Sequence, residues 1–232
     1  MTSLFRIAVV IAGLAVLKSA GAEPVNESSA RPLDFTSQTN AVRFSELSLR
    51  GDPSGIWETR VGDGFRKGVT EAGLSLGLGL GSRSFGGKNA HDLTLVKLSL
   101  GHMVTGVLCE DKCYQGNFEL IGEWFGGGQF HPDDAYLVGL TGVVRYNFVT
   151  GTRLMPFIDA GAGVAVTDID HPDLSTKFQF NTQAGLGVRW FIDARTAVTA
   201  QYRFMHISNA AIKHPNLGVN TSIFYAGVTW MF

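Results

Sequence analysis

Three side chains near the C-terminus have the types and spacing of a nucleophilic site. His206 and Ser208 stand two residues apart in the run YRFMHISN, and Asn220 follows after a polar loop. A serine hydroxyl is a weak nucleophile until a base takes its proton. Residues i and i+2 of a strand share a face at roughly 6.5–7 Å between Cα atoms, so a histidine in that position can reach the hydroxyl. The imidazole in turn needs a third group to orient it, and an asparagine carbonyl oxygen can accept from its ring N–H. Attack on an ester carbonyl would also require donors for the oxyanion. Asn209 and Asn216 are the nearest candidates, together with N–H groups of the loop.

Two strands must position this trio. In residues 196–208 one phase is Val198, Ala200, Tyr202, Phe204, His206 and Ser208; in residues 217–232 it is Asn220, Ser222, Phe224, Ala226, Val228, Trp230 and Phe232. Side chains alternate faces along a strand, so a hairpin of the two brings His206, Ser208 and Asn220 together at one end of an apolar face.

The same dyad pattern recurs upstream. Leucines 74 to 80 alternate with Ser75 and glycines, and further alternating runs follow around Val96–Leu100, Phe118–Trp124, Val138–Phe148, Ile158–Val166 and Phe178–Trp190. With the C-terminal pair this makes eight strands, each expected to be long enough to cross a bilayer at ~9–11 residues. The second phase is rich in glycine and small polar groups. It also gathers Lys97, Arg145, Arg189 and Arg203 against Glu119, Glu123 and Asp159, a nearly neutral set suited to a narrow filled lumen. A soluble sandwich would carry more charge on its wet face. The expectation is therefore an all-β fold, an eight-stranded antiparallel transmembrane β-barrel over residues 67–232. Short turns are expected at 149–153 and 193–197, and longer polar loops at 82–91, 126–134, 168–176 and 209–219.

Composition agrees. Charged residues are 17% of the chain and glycines number 29 of 232, against ~25% and ~7% in soluble domains. A formal net charge of −1 favours no nucleic-acid partner. Residues 1–22 read as a signal peptide: Arg6, an apolar run from Ile7 to Leu17, and a cleavage site at Ala20-Gly21-Ala22. The apolar run is shorter than the ~20 residues of a membrane helix. Residues 23–66 read as an N-terminal periplasmic extension with one strand-like piece at 41–49. That orientation places His206 and Ser208 at the outer-leaflet end of the barrel. The terminal Phe232 looks like the signal read by the outer-membrane assembly machinery. Cys109 and Cys113 are expected to form a local disulfide in an oxidising compartment, with two free thiols as the alternative. Three His-Pro pairs, at His131, His171 and His214, each precede Asp or Asn; turn chemistry explains them more readily than a metal site.

The string HISNAAIKHPNLGVN, 206–220, resembles the lipid A 3-O-deacylase (PagL-like) family of outer-membrane enzymes, whose members share the His-x-Ser-Asn-Ala start and the Asn-x-Gly after the loop. The resemblance implies an eight-stranded barrel and hydrolysis of an acyl ester on lipid A, the lipopolysaccharide anchor. Ser208 would be the nucleophile and His206 the general base. Asn209 and Asn216 would fall on oxyanion positions, and no cofactor or metal would be needed. The best-known members carry a glutamate where this chain has Asn220, which leaves three readings: Asn220 as a working substitute with lower activity, a loop acid (Asp168, Asp170 or Asp173) in its place, or a catalytically weak chain. Rival readings are a non-catalytic barrel serving adhesion or envelope structure, and another barrel acyl enzyme such as a phospholipase or acyltransferase. A homodimer is left open.

Overall fold

The computed structural model describes residues 65–232 apart from His171. The expected signal peptide, and all of the expected extension except its last two residues, lie outside the described residues. Eight strands follow one another as β1 (Thr70–Ser82), β2 (Asp92–Met103), β3 (Gly116–His131), β4 (Ala135–Phe148), β5 (Leu154–Thr167), β6 (Phe178–Phe191), β7 (Thr196–Ser208) and β8 (Val219–Met231). Each pairs antiparallel with its neighbour in sequence, and β1 closes on β8 to complete a barrel. Closure removes both sheet edges, the condition a β-structure must meet in lipid.

The expected phases fall on the expected faces. Leu76 and Leu100 are 64% and 65% exposed on the outer wall, joined by Leu140, Ile158, Leu186 and Phe224. A continuous apolar belt of this kind is stable against acyl chains and not against water. Inside, the lumen is filled in three zones. An apolar cluster at the loop end contains Leu93, Phe125, Leu137, Met205, Ile207 and Ile223. Another at the turn end contains Phe65, Met103, Met155, Phe191 and Met231. Between them lie the charges. Arg189 bonds Glu71 at 2.6 Å and Glu119 at 3.2 Å, Arg145 bonds Asp159 at 2.9 Å, Arg203 pairs with Glu123 and Asp159, and Lys97 lies 3.4 Å from Glu123. Glu71, absent from the sequence-derived set, brings the four cations into balance with four carboxylates.

Three local expectations need correction. The segment 126–134 is not a loop: β3 runs through Gly126–Gly128 to His131, and only residues 132–134 connect it to β4. A side chain at Gly127 would strike the Thr94 backbone, so glycine is what lets the two strands approach. Phe65 belongs to the barrel rather than to the extension, because its ring is fully buried at the turn end and its carbonyl accepts from Asn117 Nδ2 at 2.9 Å. Cys109 and Cys113 are free, exposed thiols. Their turn is closed instead by backbone hydrogen bonds, Lys112 N to the Cys109 carbonyl at 3.2 Å and Gln115 N to the Lys112 carbonyl at 3.0 Å. Among the described residues no three metal-ligating side chains converge.

Candidate active site

At the loop end of β7 and β8, His206 and Asn220 are direct cross-strand partners on the outer face. The register fixed by the apolar phases brings them there, since a one-residue slip would send both to the lumen. Asn220 Oδ1 lies 2.7 Å from His206 Nδ1, within hydrogen-bond range. The amide of Asn220 donates from Nδ2 to the Ser84 carbonyl at 2.6 Å. A carbonyl only accepts, so that contact fixes which end of the amide faces the imidazole. Asn220 Oδ1 then accepts from Nδ1–H, and Nε2 is left with its lone pair free to act as a base. Ser208 continues the same face, in register with Phe180 of β6. Its hydroxyl makes no side-chain hydrogen bond among the described residues. A resting serine in this state is usual before substrate draws the contact tight.

The loop between β1 and β2 roofs this pair. A single 3-10 turn, Ser84–Gly86, supplies the Ser84 carbonyl, and Phe85 lays its ring edge-on to Phe204 with centroids 6.1 Å apart. Gly218 forms the floor beneath the imidazole. It sits at φ +80°, and a Cβ built there would lie 2.6 Å from His206 Cε1. Ser84, Phe85 and Gly218 escaped the sequence-derived trio, although Gly218 is the glycine of the Asn-x-Gly in the quoted string.

The other anticipated residues do different work. Asn209 is buried, and both its amide hydrogens are engaged, one by Ser175 Oγ at 3.1 Å and one by the Lys213 carbonyl at 2.8 Å. Its backbone N–H goes to Asn216 Oδ1 at 3.0 Å. These two asparagines therefore shape the β7–β8 loop. The turn they hold puts Ala210 at φ +53° and Ala211 at φ +62° and is closed by Ile212 N on the Asn209 carbonyl at 3.1 Å. Two consecutive non-glycine residues in the left-handed region are a strained arrangement. Of the loop acids, Asp168 accepts from Tyr136 N at 2.7 Å, and Asp173 is enclosed by donors from the β1–β2 loop. The orienting partner in contact with His206 Nδ1 is Asn220.

The sequence profile described as lipid A 3-O-deacylase (PagL) matches residues 112–229, just over half of the chain, including all of β7 and β8 as far as residue 229. The chain belongs to the lipid A 3-O-deacylase (PagL) family. A relative within that family, lipid A deacylase PagL of Pseudomonas aeruginosa, is 34% identical over 87 residues, which is 36% of this chain and 47% of that protein. The aligned part thus spans about half the relative's length. The crystal structure of the outer membrane enzyme PagL superposes with a TM-score of 0.52 at 20% identity, over 67% of this chain and 97% of that one. Neisserial surface protein A gives 0.51 at 15% identity, over 72% and 100%. Both structural likenesses concern the eight-stranded barrel. The family match extends to the PagL-type segment that carries His206, Ser208 and Asn220.

Proposed function

We propose that this chain is an outer-membrane esterase that hydrolyses the 3-O-linked acyl chain of lipid A by a serine–histidine mechanism. The observation that carries the reading is the His206–Asn220 hydrogen bond, in phase with Ser208 on a lipid-facing wall at the barrel's loop end. A polar trio is out of place against acyl chains unless its substrate arrives through the membrane. Family membership supplies the substrate class.

The reaction follows from the geometry. His206 Nε2 takes the Ser208 hydroxyl proton as Oγ bonds to the ester carbonyl carbon. The N–H groups of Ala210 and Ala211, turned by their positive φ values, serve the tetrahedral oxyanion, with the Asn216 amide beside them. Collapse breaks the bond to the sugar oxygen, which takes the proton from His206. Water then repeats the sequence on the acyl-serine, giving the free fatty acid and Ser208–OH. Asn220 holds the imidazole without adding a negative charge, so the imidazolium is less stabilised than beside a carboxylate. Surrounding outer-membrane lipids hold the barrel. The thiols at the turn end take no part.

Mass spectrometry of lipid A incubated with the refolded protein tests this. The parent should remove one 3-hydroxyacyl chain and Ser208→Ala should remove none. An unchanged lipid A with a demonstrably folded parent barrel would favour the non-catalytic rival. Acyl gain would favour a transferase, and calcium-dependent phospholipid cleavage a phospholipase.

A further inference from the structure

The amide of Asn220 can satisfy His206 in one orientation only. If it turned over, its NH2 would face Nδ1, the ring would carry its proton on Nε2, and the base would be lost. That tautomer error is how an Asp→Asn change beside a catalytic histidine lowers turnover by ~10⁴-fold in the serine-protease template. What prevents it here is the Ser84 carbonyl, 2.6 Å from Asn220 Nδ2. Ser84 lies on the β1–β2 loop, so the orientation of Asn220 depends on what holds that loop.

Phe85 rests on Phe204 at one side of it, and a single carboxylate holds its Lys88–Asn89 side. Asp173, fully buried in the β5–β6 loop, accepts on Oδ1 from Lys88 N at 2.7 Å. On Oδ2 it accepts from Asn89 N at 3.2 Å and Asn89 Nδ2 at 2.9 Å, with His91 Nε2 at 3.0 Å from the same atom. The His91 ring is fixed from its other side by Gln129 Oε1, 2.6 Å from Nδ1, and Gln129 is itself tied to the Asp133 carbonyl at 2.7 Å. The main chain of Asp173 reaches the other way. Its carbonyl accepts from Leu217 N at 2.9 Å and Gly218 N at 3.2 Å, and Gly218 is the floor under the imidazole. The side chain thus fastens the loop that bears Ser84, and the backbone fastens the loop that bears Gly218. This gives the acidic residue of the second His-Pro motif a structural role.

We infer that Asp173 is a positioning residue: by clamping the β1–β2 loop it locks the Asn220 amide and so sets the tautomer of His206. It touches neither substrate nor the reacting atoms. The device suits a chain with asparagine at this position. A carboxylate has two equivalent oxygens and needs no such lock, whereas an amide does.

The test is a double-mutant comparison with a spectroscopic arm. In the parent, Asp173→Ala should lower kcat by about 10²-fold, the scale of a misoriented catalytic group, with KM unchanged. In an Asn220→Asp background the same change should matter by less than about threefold, because nothing remains to be oriented. Asp173→Asn, which keeps the acceptor for Lys88 N, should give a weaker effect in the same direction and serves if the alanine variant folds poorly. Asp168→Ala, which removes a contact of the same loop on its other side, should leave kcat unaltered. Ring-nitrogen NMR of His206 in micelles should show the proton on Nδ1 in the parent and its transfer toward Nε2 in Asp173→Ala. Equal losses in both backgrounds, or an unchanged His206 tautomer, would overturn the inference. The kinetic arm rests on the esterase reading. If Ser208→Ala proves as active as the parent, that reading fails, and the tautomer measurement alone decides the role of Asp173.

Discussion

Gly218 offers a sharp test of the site geometry. Replacing it with alanine sets a Cβ 2.6 Å from His206 Cε1, where carbon atoms ordinarily rest about 3.5–4.0 Å apart. The imidazole must therefore retreat by about 1 Å, and a displacement of that size can cost about 10²-fold in rate. The substitution also forces alanine into the left-handed region at φ +80°, a strain of roughly 1–2 kcal/mol. Gly68 separates the two effects. It sits at φ +95° at the turn end, and a Cβ there meets nothing within 4 Å. Gly68→Ala should share the backbone strain and keep the rate. Gly218→Ala should share the strain and lose about 10²-fold. The assay is initial deacylation of lipid A in mixed micelles, normalised to the folded fraction from heat-modifiable gel mobility. If Gly218→Ala stays within about threefold of the parent, or if Gly68→Ala falls as far, the packing of His206 on Gly218 is not what positions the base.

Other consequences concern the barrel. Arg189→Met would strand the carboxylates of Glu71 and Glu119, bonded to it at 2.6 and 3.2 Å. Breaking a buried network from one side costs about 3–5 kcal/mol, which urea titration of the folded barrel in lipid vesicles would register. Leu140→Arg on the exposed outer wall should cost about 2–4 kcal/mol in the same titration, whereas Glu110→Lys, at an exposed position of the β2–β3 turn, should change little. Asp193 in the β6–β7 turn accepts from Arg195 N and Thr196 N at 2.7 Å each, which holds its carboxyl below the usual range. Its contribution is present above the unfolded-state value of about 3.9 and is lost as pH falls through the lower folded-state value. Asp193→Ala should accordingly lower the thermal midpoint at neutral pH and leave it unchanged in strong acid; equal shifts at both would contradict the capping role.

Much of the barrel was legible because lipid and lumen impose a strict period of two. Leu74 to Leu80 and Val198 to Ser208 could be assigned to a face without any partner strand in view. The pairing of His206 with Asn220 followed from the same phases once the hairpin was assumed. What escaped detection lacks that periodicity. Glu71 stands before the first clear alternation of β1 and shows its worth only against Arg189, 118 residues away. The end of β3 read as a loop because three glycines mimic one. The roof over the site joins Asp173 to Lys88, 85 residues apart, through main-chain N–H groups that any residue possesses, so no local signal announces it. Asn209 and Asn216 were singled out as oxyanion candidates, yet both amide hydrogens of Asn209 and the side-chain oxygen of Asn216 are spent on contacts within the loops. The strained Ala210 and Ala211 left no mark in a sequence where alanine is unremarkable.

The account turns on Ser208 as the nucleophile activated from its own strand face. A long-chain alkyl fluorophosphonate presented in micelles would bond covalently to an activated serine. Intact-mass and peptide mass spectrometry should find one phosphonyl group per chain, on Ser208, with labelling lost in His206→Ala and retained in Asp168→Ala. A folded parent that takes up no label, or takes it up elsewhere or equally without His206, would contradict the serine–histidine site.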